Sequence, residues 1–195
     1  PAAYSITFHL RTGARNLAIV LLVIPFFTAY LVRAYAWQVF LSDNGVINAT
    51  LSLVSIPAIP MLNNTFGSLV GYLTLCLPLV ILIQIMGLVQ IDRNLIEAAR
   101  NLRANPIRTL FEVVLPAMKS SLIVAWLFAF ILSFGDFVSP TYLGGGASPT
   151  LSNLIIDTTK SGQQWPRAAV VAIMMILSLL GTSLLAIGLA YRGKK

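Results

Sequence analysis

Four stretches of this chain are long, apolar and almost free of charge, and nothing else in the sequence limits its fold as strongly. They run over about 17–40 (LAIVLLVIPFFTAYLVRAYAWQVF), 67–91 (GSLVGYLTLCLPLVILIQIMGLVQI), 120–137 (core SLIVAWLFAFILSFG) and 168–191 (AAVVAIMMILSLLGTSLLAIGLAY). A helix of roughly 17–25 apolar residues crosses the hydrocarbon of a bilayer. Lipid offers no partner to an open backbone, so spans are helices or closed barrels. The period-2 alternation of a barrel strand is absent. The expected class is therefore all-α: a polytopic bundle of four transmembrane helices, one domain over 1–195. Composition closes the soluble alternative. Only 10% of residues are charged and the mean hydropathy is +0.86, whereas a soluble domain carries about 25% charge.

The net charge of +7 is read as a topology signal and not as a nucleic-acid footprint, because Lys and Arg mark the cytoplasmic side of a membrane protein. Counting from the first ten residues, one side collects Arg11, Arg15, Arg93, Arg100, Arg103, Arg108, Lys119, Arg192, Lys194 and Lys195. The other holds Arg33, Lys160 and Arg167. The first side is expected to be cytoplasmic, with both ends of the chain and the 92–119 loop there. Tyr30, Tyr35, Trp37, Tyr142 and Trp165 fit an aromatic belt at the outer interface. The outer loops, 42–65 and 138–166, are rich in turn residues, including Pro57, Pro60, Gly144–Gly146 and Pro149. They are expected to carry short helices at the membrane surface. Asn48-Ala49-Thr50 spells a glycosylation acceptor. The single cysteine, Cys76, lies in an apolar run and reads as packing. No charged n-region precedes a short apolar core, so no signal peptide is read.

One stretch breaks the apolar pattern: DRNLIEAARNLRANPIRTLFEVVLPAMK, 92–119. Asp92 can cap a helix with apolar positions Leu95, Ala99 and Leu102, widened by Ala98. Arg93, Glu97 and Arg100 share its other side, at spacings that allow ion pairs. Asn105-Pro106 then stops this helix and starts a second, with Asn as N-cap and Pro at the first helical position. The second helix repeats the pattern with Ile107, Leu110, Phe111 and Val114, and Pro116 leads towards the third span. Two short amphipathic helices at a corner suit either an interfacial element on the headgroups or a docking knob. Periodicity alone leaves both open. The small pair Ala98-Ala99 would let a partner approach closely.

The wording of this stretch resembles the EAA loop of bacterial ABC importer permeases. EAARNL (97–102) is followed by NPIRTLFEVVLP (105–116), in the family's order, spacing and topology. VIPFFTAYLVRAYAWQVFLSDNGVIN (23–48) and FGDFVSPTYLGGG (134–146) resemble outer segments of the spermidine/putrescine subfamily. The opening PAAY resembles the end of an earlier span, so two preceding spans of a six-span permease are expected to be missing. The resemblance implies an inner-membrane permease subunit moving polyamines from an extracytoplasmic binding protein into a bacterial cytoplasm. It implies a second, similar permease subunit and a cytoplasmic ATPase dimer that holds ATP with Mg. The docking loop would be carried by Glu97, Ala98, Ala99, Leu102, Arg103, Pro106, Leu115 and Pro116. Two departures stand out. The residue six after the Glu is usually Gly, which allows a left-handed or close-packed corner; here it is Arg103. An acid that follows the Ser-Pro-like pair in some polyamine relatives is Thr141 here.

The remaining inventory narrows the chemistry. No G-x-x-x-x-G-K-[ST] loop is present, so the chain is not expected to bind or hydrolyse ATP. The spans hold no paired carboxylates, histidine cluster or Ser–His set, so no catalytic residue is expected; lone His9 makes no metal site. Asp136, at the outer end of the third span, could attract a cationic substrate or cap the segment after it. Trp37, Trp126 and Tyr35 could stack on a cation, or serve the belt or packing. Arg33 is expected to snorkel. Pro25 and Pro78 are expected to kink their spans. The runners-up are permeases for sulfate, iron, thiamine or phosphonates, and a membrane anchor that recruits a soluble partner.

Overall fold

The computed structural model describes residues 2–146, 150–161 and 163–191. Among these the chain is helical, with no strand. The helices are α1 (Ala2–Phe8), α2 (Thr12–Val23), α3 (Tyr30–Leu41), α4 (Val46–Leu53), α5 (Thr65–Val89), α6 (Arg93–Asn101), α7 (Pro106–Thr109), α8 (Leu115–Ala117), α9 (Lys119–Gly135), α10 (Leu151–Lys160) and α11 (Trp165–Tyr191). A 3₁₀ turn covers Ile24–Phe27, and single π-turns cover Leu110–Val114 and Ser139–Leu143. The basic residues Arg192, Lys194 and Lys195, and Pro149 of the outer loop, lie outside the described residues.

Two helices, α5 and Trp165–Gly188 of α11, are individually long and apolar enough to cross a bilayer. α5 stays continuous through Pro78, so the kink expected there does not break it. The third expected span is α9, bent by 76° against the Pro106–Ala117 segment before it. The first expected span, 17–40, is corrected: it is two helices and not one. Pro25 has no backbone N–H to give, the chain tightens into the 3₁₀ turn, and Tyr30 starts a new helix after a break at Thr28-Ala29. Four crossings therefore require each bent pair to count as one.

Within the single domain expected over 1–195, two compact units are distinguished. Unit one comprises the described residues of 1–25, 77–129 and 182–195; unit two comprises those of 26–76 and 130–181. Unit one has its core in Ala3, Ile85, Leu88, Ile91, Ile96, Val114 and Met118, with Leu110, Leu115 and Leu122 packed against it. The α6–α7 segment is thus anchored to α1, α5 and α9 by its own apolar side chains. Unit two centres on Leu41, Met61 and Leu143, with Trp37, Ile47 and Val70 around them. Asn48 is buried there and bonded through its side chain to Ile59 N, Ile59 O and Ser42 O. Its amide holds α4 to the following loop and is closed to glycosylation.

Candidate functional site

The α6–α7 corner is built by local chemistry that the sequence announces. Asp92 Oδ1 accepts the Asn94 N–H at 3.0 Å, capping α6. Asn105 Oδ1 accepts the N–H groups of Ile107 (2.7 Å) and Arg108 (3.2 Å), with Pro106 at the first position of α7. Between them α6 ends in a Schellman motif: the Ala104 N–H donates to the Ala99 carbonyl at 3.0 Å. The residue inside that motif must turn left-handed, and Arg103 does so at φ +56°. The backbone inferred for a glycine at this position is present without the glycine.

Packing then decides which side of each helix is covered. The apolar face expected of α6 is corrected. Ile96 and Ala99 are buried, while Leu95 is half exposed and Leu102 is 84% exposed. α7 and the π-turn after it divide in the same way: Thr109 and Val114 are buried, while Ile107 (66%) and Phe111 (63%) face outward. Arg108 Nε donates to both Glu112 carboxylate oxygens at 2.9 Å, on the surface. A groove of about 440 Å³ runs between the two helices, with Ala98, Ala99 and Ala104 among its walls and Leu95 and Leu102 beside them. Glu97 is exposed; the side chains of Arg93 and Arg100, proposed as its pairing partners, lie outside the described ones. Leu115 and Pro116 belong to α8, where Leu115 packs against the core of unit one.

In unit two Asp136 is 7% exposed and surrounded by donors. Its Oδ1 accepts the Val138 N–H at 2.8 Å. Its Oδ2 accepts the Tyr30 hydroxyl at 2.7 Å, with the Ser139 N–H at 3.3 Å. The Ser139 hydroxyl in turn donates to the Tyr30 oxygen. Of the two roles open to Asp136, capping is the one its contacts display. Arg33 is partly buried: its cation lies 5.5 Å from the Tyr30 ring centroid, and a guanidinium nitrogen reaches the Thr74 carbonyl at 3.5 Å. Tyr35 meets Tyr142 edge-on at 5.2 Å and stays half exposed, while Trp37 packs with Phe40 at 6.1 Å against the core of unit two. The three residues named for a substrate path each meet different neighbours.

An open space does exist nearby. A cavity of about 370 Å³ is lined by Tyr72, Phe130, Ser133, Phe134, Thr150 and Leu151. Phe130 and Phe134 stack at 5.3 Å between centroids. Ser152 Oγ donates to the Phe134 carbonyl at 3.0 Å and fixes α10 against α9. Sequence reasoning missed this group. Phe130 and Phe134 are one helical turn apart, but Tyr72 and Thr150 join them only in three dimensions.

Residues 2–190 match the family of binding-protein-dependent transport system inner membrane components. The chain is similar to the spermidine/putrescine transport system permease protein PotB of Haemophilus influenzae, 32% identical over 82% of this chain and 56% of that protein. The PotB protein of Escherichia coli is 26% identical over 84% of this chain and 60% of its own length. The chain thus spans a little over half the length of these relatives. In fold it resembles a chain of a bacterial ABC transporter involved in the import of the acidic polysaccharide alginate, with TM-score 0.78 and 17% identity. That match covers all of this chain and 71% of the other.

Proposed function

Because the chain belongs to the family of binding-protein-dependent transport system inner membrane components, we propose that it is the membrane-spanning permease subunit of an ATP-driven importer. The solutes are polyamines of the spermidine and putrescine class. In this reading the α6–α7 corner and the chain ends face the cytoplasm of a bacterial cell. ATP and Mg are held by an ATPase dimer, and a second, similar permease subunit completes the pathway. A binding protein delivers the solute from outside.

One observation carries the reading. The corner is seated on unit one by Ile96, Leu110 and Val114, yet it turns Leu95, Leu102, Ile107 and Phe111 away from the protein. Large apolar side chains held on a rigid base beside charged ones favour a protein partner. Glu97, Ala98, Leu102, Arg103 and Pro106 form the contact surface, Ala99 backs the groove between the helices, and Leu115 and Pro116 link it to α9. ATP-driven closure of the partner then moves the corner, and α9 carries the movement, a two-state rocking of packed helices. The solute's ammonium and methylene groups pass over the rings of Tyr72, Phe130 and Phe134, which attract cations through their faces. Asp136 contributes its charge from behind Tyr30, without a direct contact.

The test is uptake of labelled spermidine and putrescine by energised cells that lack the full-length gene. Uptake restored by the wild-type gene and not by Glu97→Lys supports both the substrate class and the docking corner. Unchanged uptake on deletion removes the polyamine reading, and the same strain is then screened with sulfate, iron, thiamine and phosphonates. No defect with any of them leaves the membrane-anchor reading.

A further inference from the structure

Arg103 occupies a backbone conformation that costs an L-residue with a Cβ free energy and costs glycine almost none. The Schellman bond from Ala104 to Ala99 forms around it regardless. Its side chain is exposed, and among the described residues it makes no hydrogen bond or ion pair. Among the described residues, no side-chain partner of Arg103 adds to that backbone bond to offset the strain. Leu102, the most exposed large apolar residue of the corner, is its immediate neighbour. The charge balance is one-sided as well. Residues 92–119 carry Arg93, Arg100, Arg103, Arg108 and Lys119 against Asp92, Glu97 and Glu112. The Arg108–Glu112 pair already neutralises itself. A strained, exposed cation at the apex of an apolar contact surface fits a binding role better than a structural one.

We propose that Arg103 is a partner-specific contact, placing its guanidinium against a carboxylate on the ATPase subunit beside the pocket that receives Leu102. This rests on the docking reading above and adds what that reading lacks, the chemistry of one contact and a basis for choosing among ATPases. The planar guanidinium can grip a carboxylate with two parallel hydrogen bonds. At the rim of an interface such a pair guides the encounter and fixes register. The same cation could instead rest on anionic lipid headgroups, and the test separates the two.

The experiment uses the full-length permease with its companion permease subunit in nanodiscs of neutral phosphatidylcholine. Its own ATPase subunit is titrated in at several salt concentrations, against wild type, Arg103→Gly and Arg103→Lys. The expected result is ATPase affinity roughly fivefold weaker for Arg103→Gly with a shallower salt dependence, and Arg103→Lys between the two. Thermal unfolding of the Arg103→Gly complex without ATPase should be unchanged or higher, which separates lost contact from lost fold. Equal or tighter binding by Arg103→Gly, with unchanged salt dependence, overturns the proposal. So does a loss that appears only when phosphatidylglycerol is added to the nanodiscs. A wild-type permease that binds no ATPase overturns the docking reading and this inference together.

Discussion

Helix α9 has a π-turn and a proline near each end, and the two turns are treated in opposite ways. The turn after it, Ser139–Leu143, is sunk into unit two. Ser139, Pro140 and Leu143 are essentially inaccessible. Asp136 caps its start, Gln38 Nε2 donates to the Tyr142 carbonyl at 2.6 Å, and the Asn63 N–H donates to the Leu143 carbonyl at 2.9 Å. The turn before it, Leu110–Val114, buries Val114 but exposes Phe111, and its only described ion pair lies on the surface. A π-turn leaves one backbone position poorly matched to the helical ladder and is often found at functional sites. Where the protein supplies every partner itself, the turn is part of the scaffold. Where it leaves apolar side chains uncovered, the turn is part of a surface. The comparison assigns rigidity to the second turn and availability to the first.

Substitutions can break that contrast. The largest effect is expected from Asp136→Leu, which strands the Val138 and Ser139 N–H groups and leaves the Tyr30 hydroxyl only Ser139. The cost should be on the order of 4 kcal/mol, read as lost thermal stability of the full-length protein in detergent. Gly67→Val comes next. A Cβ at Gly67 runs into the Leu143 carbonyl, which is already held by Asn63, and overpacking of this kind costs about 2–3 kcal/mol in the same assay. At the other turn Asn105→Ala removes the α7 cap and should cost about 1 kcal/mol. Arg103→Gly should raise stability, by about 0.5–1 kcal/mol, because the left-handed position no longer carries a Cβ. The smallest stability effect belongs to Ile107→Ser, within about 0.5 kcal/mol, although transport should fall severely. A large loss of stability for Ile107→Ser, or a small one for Asp136→Leu, would erase the distinction between the two turns.

Much of this was legible in the sequence, for local reasons. α5, α9 and α11 follow from uninterrupted apolar runs with few alternatives in lipid. Asp92 and Asn105-Pro106 are read directly because capping depends only on neighbours a few residues away. The left-handed corner at Arg103 was foreseeable from the glycine that the family resemblance implies at this position. What was not legible depended on tertiary choice. The nine-residue α6 has apolar residues on more than one side, and only the position of the core of unit one selects Ile96 over Leu95. The first span broke at Thr28-Ala29 because Pro25 tightens the turn before it; composition alone shows no interruption there. Asp136 has two roles open to it in the sequence, and the Tyr30 hydroxyl at its carboxylate, distant in sequence, is visible only in the fold. The aromatic cavity joins α5, α9 and α10, and no spacing along the chain encodes it.

The central claim is that the exposed α6–α7 corner is covered by a protein, and site-directed crosslinking tests it most directly. Cysteine is placed at Leu102 or Ile107 of the full-length permease in a Cys76→Ser background, and the assembled transporter is treated with a short thiol-to-amine crosslinker in membranes. The account predicts that both positions crosslink to the ATPase subunit with yields that change when ATP is added, and that a cysteine at Leu143 does not. Labelling of Leu102 and Ile107 by lipid-soluble thiol reagents alone, with no crosslink to the ATPase subunit, would contradict the account and return the corner to the membrane surface.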